Sequence, residues 1–230
     1  MVYSAENSKF TLAVKEMGAE LNSLKSKETG IEYIWNGNTD IWYGQSPILF
    51  PIIGRLLDDK YTLNGKEYSM DKHGIVRKKP FTLVEKTEDS LTFVQTDDDE
   101  SITKYPYKFE LKVKFQLTEK GLRVTHTVKN NNDSVMYYSF GAHPAFNCQI
   151  GDYLEFNKDT SLETERIDHE SILIDEKFPV EMDGNKVVLT KDLFVDDALI
   201  LSSFDSDSIS IKSNSHDRII KFDFDSPFLG

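Results

Sequence analysis

Five histidines, His73, His126, His143, His169 and His216, are the side chains suited to trading protons near neutral pH. None pair at the helical spacing of a zinc protease and none form an H-x-H, so no metal site is expected. His143 lies in YYSFGAHPAFN, residues 137–147. One parity of that stretch carries Ser139, Gly141 and His143, whose small neighbours leave room for a ligand to approach the backbone. Pro144 biases His143 toward an extended conformation and ends the strand there. An imidazole at a strand end beside vacant space suits general acid–base work; a buried histidine bonded to backbone is the alternative. His73 lies in DKHGIVRKKPF, where Gly74 permits tight backbone geometry beside the ring and Arg77 follows four residues on. An exposed basic turn is the alternative there.

Arg55 closes the apolar segment PILFPIIG, residues 47–54. A guanidinium at the end of a buried strand must find an acceptor, either a protein carboxylate or a ligand. LFVDDALIL, residues 193–201, is apolar on both parities except at Asp196 and Asp197, so one carboxylate should point inward, to an ion pair or to a ligand hydroxyl. Trp35 and Trp42 suit either the core or a platform for a sugar ring. His126 sits on the apolar parity of its strand and reads as a core histidine. His169 and His216 lie in polar stretches and carry no signal. The acidic run Asp97-Asp98-Asp99-Glu100 reads as a solvated loop tip, since the calcium-loop spacing is absent.

The elements that must position these residues are strands. FELKVKFQL, residues 109–117, alternates strictly, and after a turn Leu122, Val124 and Val128 resume the period, predicting a long hairpin. Asn64-Gly65 predicts a tight hairpin between residues 61–63 and 66–68. A third hairpin joins 81–85 to 91–95. Further strands are expected at 10–14, 32–35, 135–140, 187–189, 198–201, 209–212 and 219–224. No window has the apolar stripe of an ordinary helix, so the fold class is all-β, an antiparallel sandwich.

The 230 residues suffice for one domain, residues 1–230. Lys and Arg number 27 against 39 Asp and Glu, a net charge of −12. That balance argues against a nucleic-acid partner and against an anionic membrane surface. It is compatible with a soluble enzyme acting on a neutral or weakly charged small molecule, and an anionic substrate held by one local arginine is the alternative. The lone Cys148 excludes an internal disulfide and a cysteine zinc site. The opening MVYSAENSKF has no basic region followed by an apolar one, and the longest apolar stretch, 47–53, is too short to span a bilayer. The reading is cytoplasmic, and nothing in the sequence fixes an oligomeric state.

Six segments occur in an order that resembles the aldose 1-epimerase (galactose mutarotase-like) family, and most closely its bacterial LacX-type subgroup: GAELNSL (18–24), EYIW (32–35), SPILFPIIGR (46–55), HGIVR (73–77), GAHPAF (141–146) and FVDDALI (194–200). HG-x-x-R also resembles the glucose-6-phosphate epimerase branch. The resemblance implies a large antiparallel β-supersandwich with a sugar in an open groove. It implies that His143 is the general acid that protonates the ring oxygen and that His73 helps hold the substrate. Arg55 and Arg77 would bind the sugar, and Asp197 would bind its hydroxyls, with Asp196 as the fallback. Interconverting anomers involves no redox step, so no cofactor is implied. The family's base is a glutamate beyond the strand that here reads IIKFDFDSPFLG. No Glu follows Glu181, so the expectation is a chain lacking the family's last strands and that base. A non-catalytic sugar-binding relative is the alternative.

Overall fold

The computed structural model describes residues 1–223, which fall into two compact units, Met1–Asn147 and a second beginning at Cys148. Both are built from antiparallel strands, as expected.

In the first unit, β1 (Val2–Glu6), β2 (Phe10–Lys15) and β3 (Glu20–Ser26) form a three-stranded sheet in that order. The short β4 (Ile48–Leu49) follows, then the hairpin of β5 (Lys60–Leu63) and β6 (Lys66–Ser69) around Asn64-Gly65. β7 (Thr82–Lys86), β8 (Ser90–Thr96), α1 (Asp99–Lys104), β9 (Phe109–Thr118), β10 (Gly121–Asn130) and β11 (Gly141–Ala142) complete the unit. The larger sheet runs β10-β9-β8-β7. Every apolar residue of the 109–117 alternation is buried, from Phe109 to Leu117. Because side chains alternate across a strand, that pattern points one whole face of β9 into the core. Each such phenylalanine or leucine contributes about 1.5–3 kcal/mol on burial. On β10, Leu122 and Val128 pack against this core, but Val124 is exposed. His126 is partly buried, with its ring 4.5 Å from that of Phe140.

Phe50, fully buried, ties this core to the loops that carry the histidines. Its ring lies 5.0 Å from Phe109, 5.8 Å from Tyr105 and 5.6 Å from Tyr138.

The acidic run is not a bare loop tip. Asp98 caps α1, accepting from the Ser101 amide at 2.7 Å, while the Ser101 hydroxyl accepts from the Asp98 amide at 2.8 Å. Asp99 and Glu100 occupy the first turn, where carboxylates favour the positive end of the helix. Lys79 completes the arrangement with ion pairs to Asp98 and Glu100.

In the second unit, β12 (Tyr153–Phe156), β15 (Lys186–Val188), β16 (Ser208–Lys212) and β17 (Ile220–Asp223) form a sheet in the order β15-β12-β16-β17. β13 (Glu163–Ile167) and β14 (Leu173–Pro179) pair separately. Phe156, Leu162 and Val187 form its buried core. Asp152 is buried there, with His216 at 3.4 Å and Arg218 at 3.8 Å. Burial raises the Asp152 carboxyl, but hydrogen bonds from Ser213 and Gln149 and the charges of His216 and Arg218 outweigh it and hold it low.

Three predicted strands differ. Residues 32–35 contribute only isolated bridges at Glu32 and Ile34, and 198–201 only one at Ile200. Residues 135–138 have no ladder; pairing starts at Ser139, whose amide bonds the Pro51 carbonyl at 2.8 Å. Phe224 of the expected last strand lies outside the described residues. Among those described, no helix is long and apolar enough to cross a membrane.

Candidate functional site

A single strip, residues 45–54, brings the two key histidines together. On one side, residues 139–145 run antiparallel to it. Gly141 and Ala142 pair with Leu49 and Ile48, the His143 amide donates to the Pro47 carbonyl at 3.0 Å, and the Ala145 amide to Gln45 at 2.7 Å. From the same strip, Phe50 bridges Gly74, and the Ile75 amide donates to the Phe50 carbonyl at 2.9 Å. His73 and His143 therefore meet, with ring centroids 5.9 Å apart.

Gly74 is required by this approach. It has φ 76°, and a Cβ there would overlap the Phe50 carbonyl. His73 itself has φ 67°, a left-handed conformation that costs energy outside glycine. Its amide donates to the Gly54 carbonyl at 2.8 Å, and its Nδ1 accepts from the Gly54 amide at 3.1 Å. Burial pushes the His73 imidazole down to about 4, helped by the positive charges of Arg77 and Lys72 and by His143. His73 is thus half-buried and hydrogen-bonded, not part of an exposed basic turn.

His143 is exposed, and Trp42 stands beside it with centroids 5.1 Å apart. The room expected next to Gly141 is filled from within: a Cβ there would meet Ile53 Cδ1 at 3.0 Å. Open space lies by Trp42 instead. Trp42 is half-buried, not core; its indole lies over Gly44, and its carbonyl accepts from Trp35 Nε1 at 2.9 Å. Trp42, Pro47, Gly18, Glu20, Arg77 and Lys78 line a cavity of about 300 Å³. Arg77 donates through Nη2 to the Lys72 carbonyl at 3.2 Å, while its Nε is buried with no hydrogen-bond partner among the described residues. Glu20 is committed elsewhere. It accepts from the Gln45 and Ser46 amides at 2.7 and 3.1 Å and faces Lys15 Nζ at 3.2 Å.

Arg55 follows Gly54 and is exposed, not at the end of a buried strand. Its Nε and Nη2 both reach Asp59 at 2.7 Å, a forked ion pair that holds the Asp59 carboxyl below its usual range. The protein carboxylate is therefore present, and the guanidinium remains at the surface beside the His73 loop.

Asp196 and Asp197 belong to the second unit. The expectation that one points inward is corrected, since both are exposed: residues 193–196 form turns rather than a strand, so parity does not sort them. Asp196 pairs with Arg166 at 2.8 Å, and Asp197 has φ 76°. Sequence reasoning passed over Gln45 and Gly54. Gln45, buried, fixes the strip by bonding the Asn22 and Trp35 carbonyls at 3.0 and 2.6 Å. A lone Gln and a Gly after an apolar run gave no signal. Among the described residues, no cluster of three His, Cys, Asp or Glu could hold a metal ion.

This antiparallel β-protein, with the His143 ring between the His73 ring and the Trp42 indole, is similar to known proteins of one kind. The aldose 1-epimerase family model matches residues 1–229. The plasmid-borne protein LacX of Lactococcus lactis subsp. lactis is 35% identical over 240 residues, covering 98% of this chain and 80% of that protein. A galactose mutarotase-like protein from Lactobacillus casei superposes with a TM-score of 0.92 at 33% identity, over 97% of this chain and 79% of that one. A galactose mutarotase related enzyme from Lactobacillus acidophilus gives 0.90 at 30% identity, over 96% and 76%. The chain belongs to the aldose 1-epimerase family.

Proposed function

We propose that the protein interconverts the α and β anomers of a hexose by acid–base ring opening, with His143 as the general acid. The observation that carries this reading is His143 itself, exposed, anchored by its amide to Pro47, and set between the His73 ring and the Trp42 indole. A base takes the proton of the anomeric hydroxyl as the bond between the anomeric carbon and the ring oxygen breaks. His143 gives its proton to that ring oxygen, leaving an open aldehyde. Rotation about the bond between the first two carbons and closure on the other face reverse the transfers and restore His143. Electrons and protons balance without a redox partner, and the chemistry calls for no metal or cofactor.

Trp42 offers an apolar face to a sugar ring, while His73 and Arg77 supply donors, and Arg55 a guanidinium for its hydroxyls. Positioning of this kind lowers the barrier through orientation. Asp197 keeps the hydroxyl-binding role that the resemblance implies, on that ground alone. The base is assigned to no residue, because Glu20, the carboxylate that lines the cavity, is held by two amides and a lysine.

A phosphorylated hexose is a second reading. Arg77 and Lys78 line the same cavity as Trp42, and among the described residues the buried Arg77 Nε is a donor without an acceptor. Exchange spectroscopy of the anomeric protons separates these readings. Added protein should produce exchange peaks between the α and β signals of galactose or glucose. Exchange confined to glucose 6-phosphate supports the second reading, and none with any of the three rejects both.

A further inference from the structure

We propose that the Gly54 amide locks His73 as its neutral Nε2–H tautomer, so that His73 offers a ligand one hydrogen-bond donor and no acceptor. A backbone N–H can only donate, so the His73 Nδ1 facing it at 3.1 Å must carry the lone pair. The ring proton then resides on Nε2. The lock is reciprocal, because the His73 amide donates to the Gly54 carbonyl at 2.8 Å. Two short-range bonds between the same pair of residues fix both the backbone and the ring. The left-handed φ values of 75° at Gly54 and 67° at His73 are what allow the two amides to face each other's acceptors.

Protonating Nδ1 would set N–H against N–H and break the lock. The surroundings oppose that proton as well. Arg77 and Lys72 place positive charge near the ring, and His143 adds to it. Just past Gly54, Arg55 is ion-paired with Asp59, and Asp71, in the His73 turn itself, is ion-paired with Lys104. His73 is therefore a fixed donor across the physiological range, and proton transfer falls to His143. Gly54 is a positioning residue acting through His73. The partner that this donor fits is an oxygen lone pair, such as a sugar hydroxyl or ring oxygen. That identification of the ligand rests on the function proposed above; the tautomer does not.

The test is a long-range proton–nitrogen correlation spectrum of the 230-residue protein with labelled histidine, with His73 assigned by its loss in His73→Asn. The expected pattern at pH 7 is an unprotonated Nδ1 and a protonated Nε2 for His73, persisting to pH 5. A protonated Nδ1, or averaged signals for the two nitrogens, overturns the proposal. Calorimetry with galactose adds a functional readout. His73→Asn keeps an acceptor for Gly54 but lacks the outward donor, and should weaken binding by about tenfold or more. His73→Gln places an amide donor near the Nε2 position and should recover most of that loss. Equal losses in both variants contradict the donor role. If galactose does not bind the wild-type protein, the sugar reading of the site fails, and the nitrogen spectrum still decides the tautomer.

Discussion

His143 and His73 share a side chain and differ in every surrounding that matters. His143 is exposed, with its amide anchored to the Pro47 carbonyl, which fits the acid role proposed for it. His73 is buried deeper and bonded at Nδ1, which fits the binding role proposed for it. The residue that makes this pairing possible is Gly74, because any side chain there collides with the Phe50 carbonyl at a positive φ. Gly74→Ala should lower unfolding stability by about 3 kcal/mol or more, read as a shift in the urea midpoint; a change within experimental error would show that the strip and the His73 loop are not tightly coupled. At Arg55, the forked pair with Asp59 orients the guanidinium. Asp59→Asn should raise KM for the sugar with a smaller change in kcat, since a loosened arginine loses positioning rather than proton transfer.

At the scale of elements, local patterns were legible and long-range ones were not. The 109–117 alternation and Asn64-Gly65 each specify a hairpin from neighbouring residues, and both hairpins form. The stretch 135–140 has strand-forming residues, but pairing with the 45–51 strip begins only at Ser139. Which residues of an apolar run find a partner depends on chain segments far away in sequence. The same limit applied to the site: HG-x-x-R and HP-x-F marked the histidines, while the Gly54 and Gln45 contacts that position them had no local signature. Asp197 shows the opposite failure, where parity was read into a segment that forms turns. The acidic run became a helix cap because Ser101 stands three residues after Asp98. α1 then reaches both histidine loops: Lys104 pairs with Asp71 at 3.1 Å, and the next residue, Tyr105, donates to the Tyr137 carbonyl at 2.8 Å. Asp98→Ala should cost about 1–2 kcal/mol, measured by urea unfolding, and an unchanged midpoint would show that the cap contributes nothing.

For the whole molecule, a net charge of −12 coexists with two cations, Arg77 and Lys78, lining the cavity beside Trp42. Two partly buried imidazoles set the response to mild acid. Burial pushes His126 as well as His73 down to about 4, against 6.5 when unfolded. Between those values the unfolded chain binds more protons than the folded one, so stability rises with pH. Their contribution is complete above about pH 6.5 and is lost as pH falls toward 4. Urea midpoints should therefore decline from pH 7 to pH 4.5, and His126→Phe should flatten that decline. An equal slope in the variant would show that His126 does not titrate in this way.

If His143 supplies the proton for ring opening, its loss removes the acceleration of anomer exchange. Polarimetry on freshly dissolved α-D-galactose and α-D-glucose measures it directly, comparing the wild-type protein with His143→Asn. The wild type should bring at least one of the sugars to its equilibrium rotation faster than buffer, and the variant should lose about 100-fold or more of that acceleration. Equal acceleration by both proteins, or none by the wild type, would rule out His143 as the acid of a mutarotase.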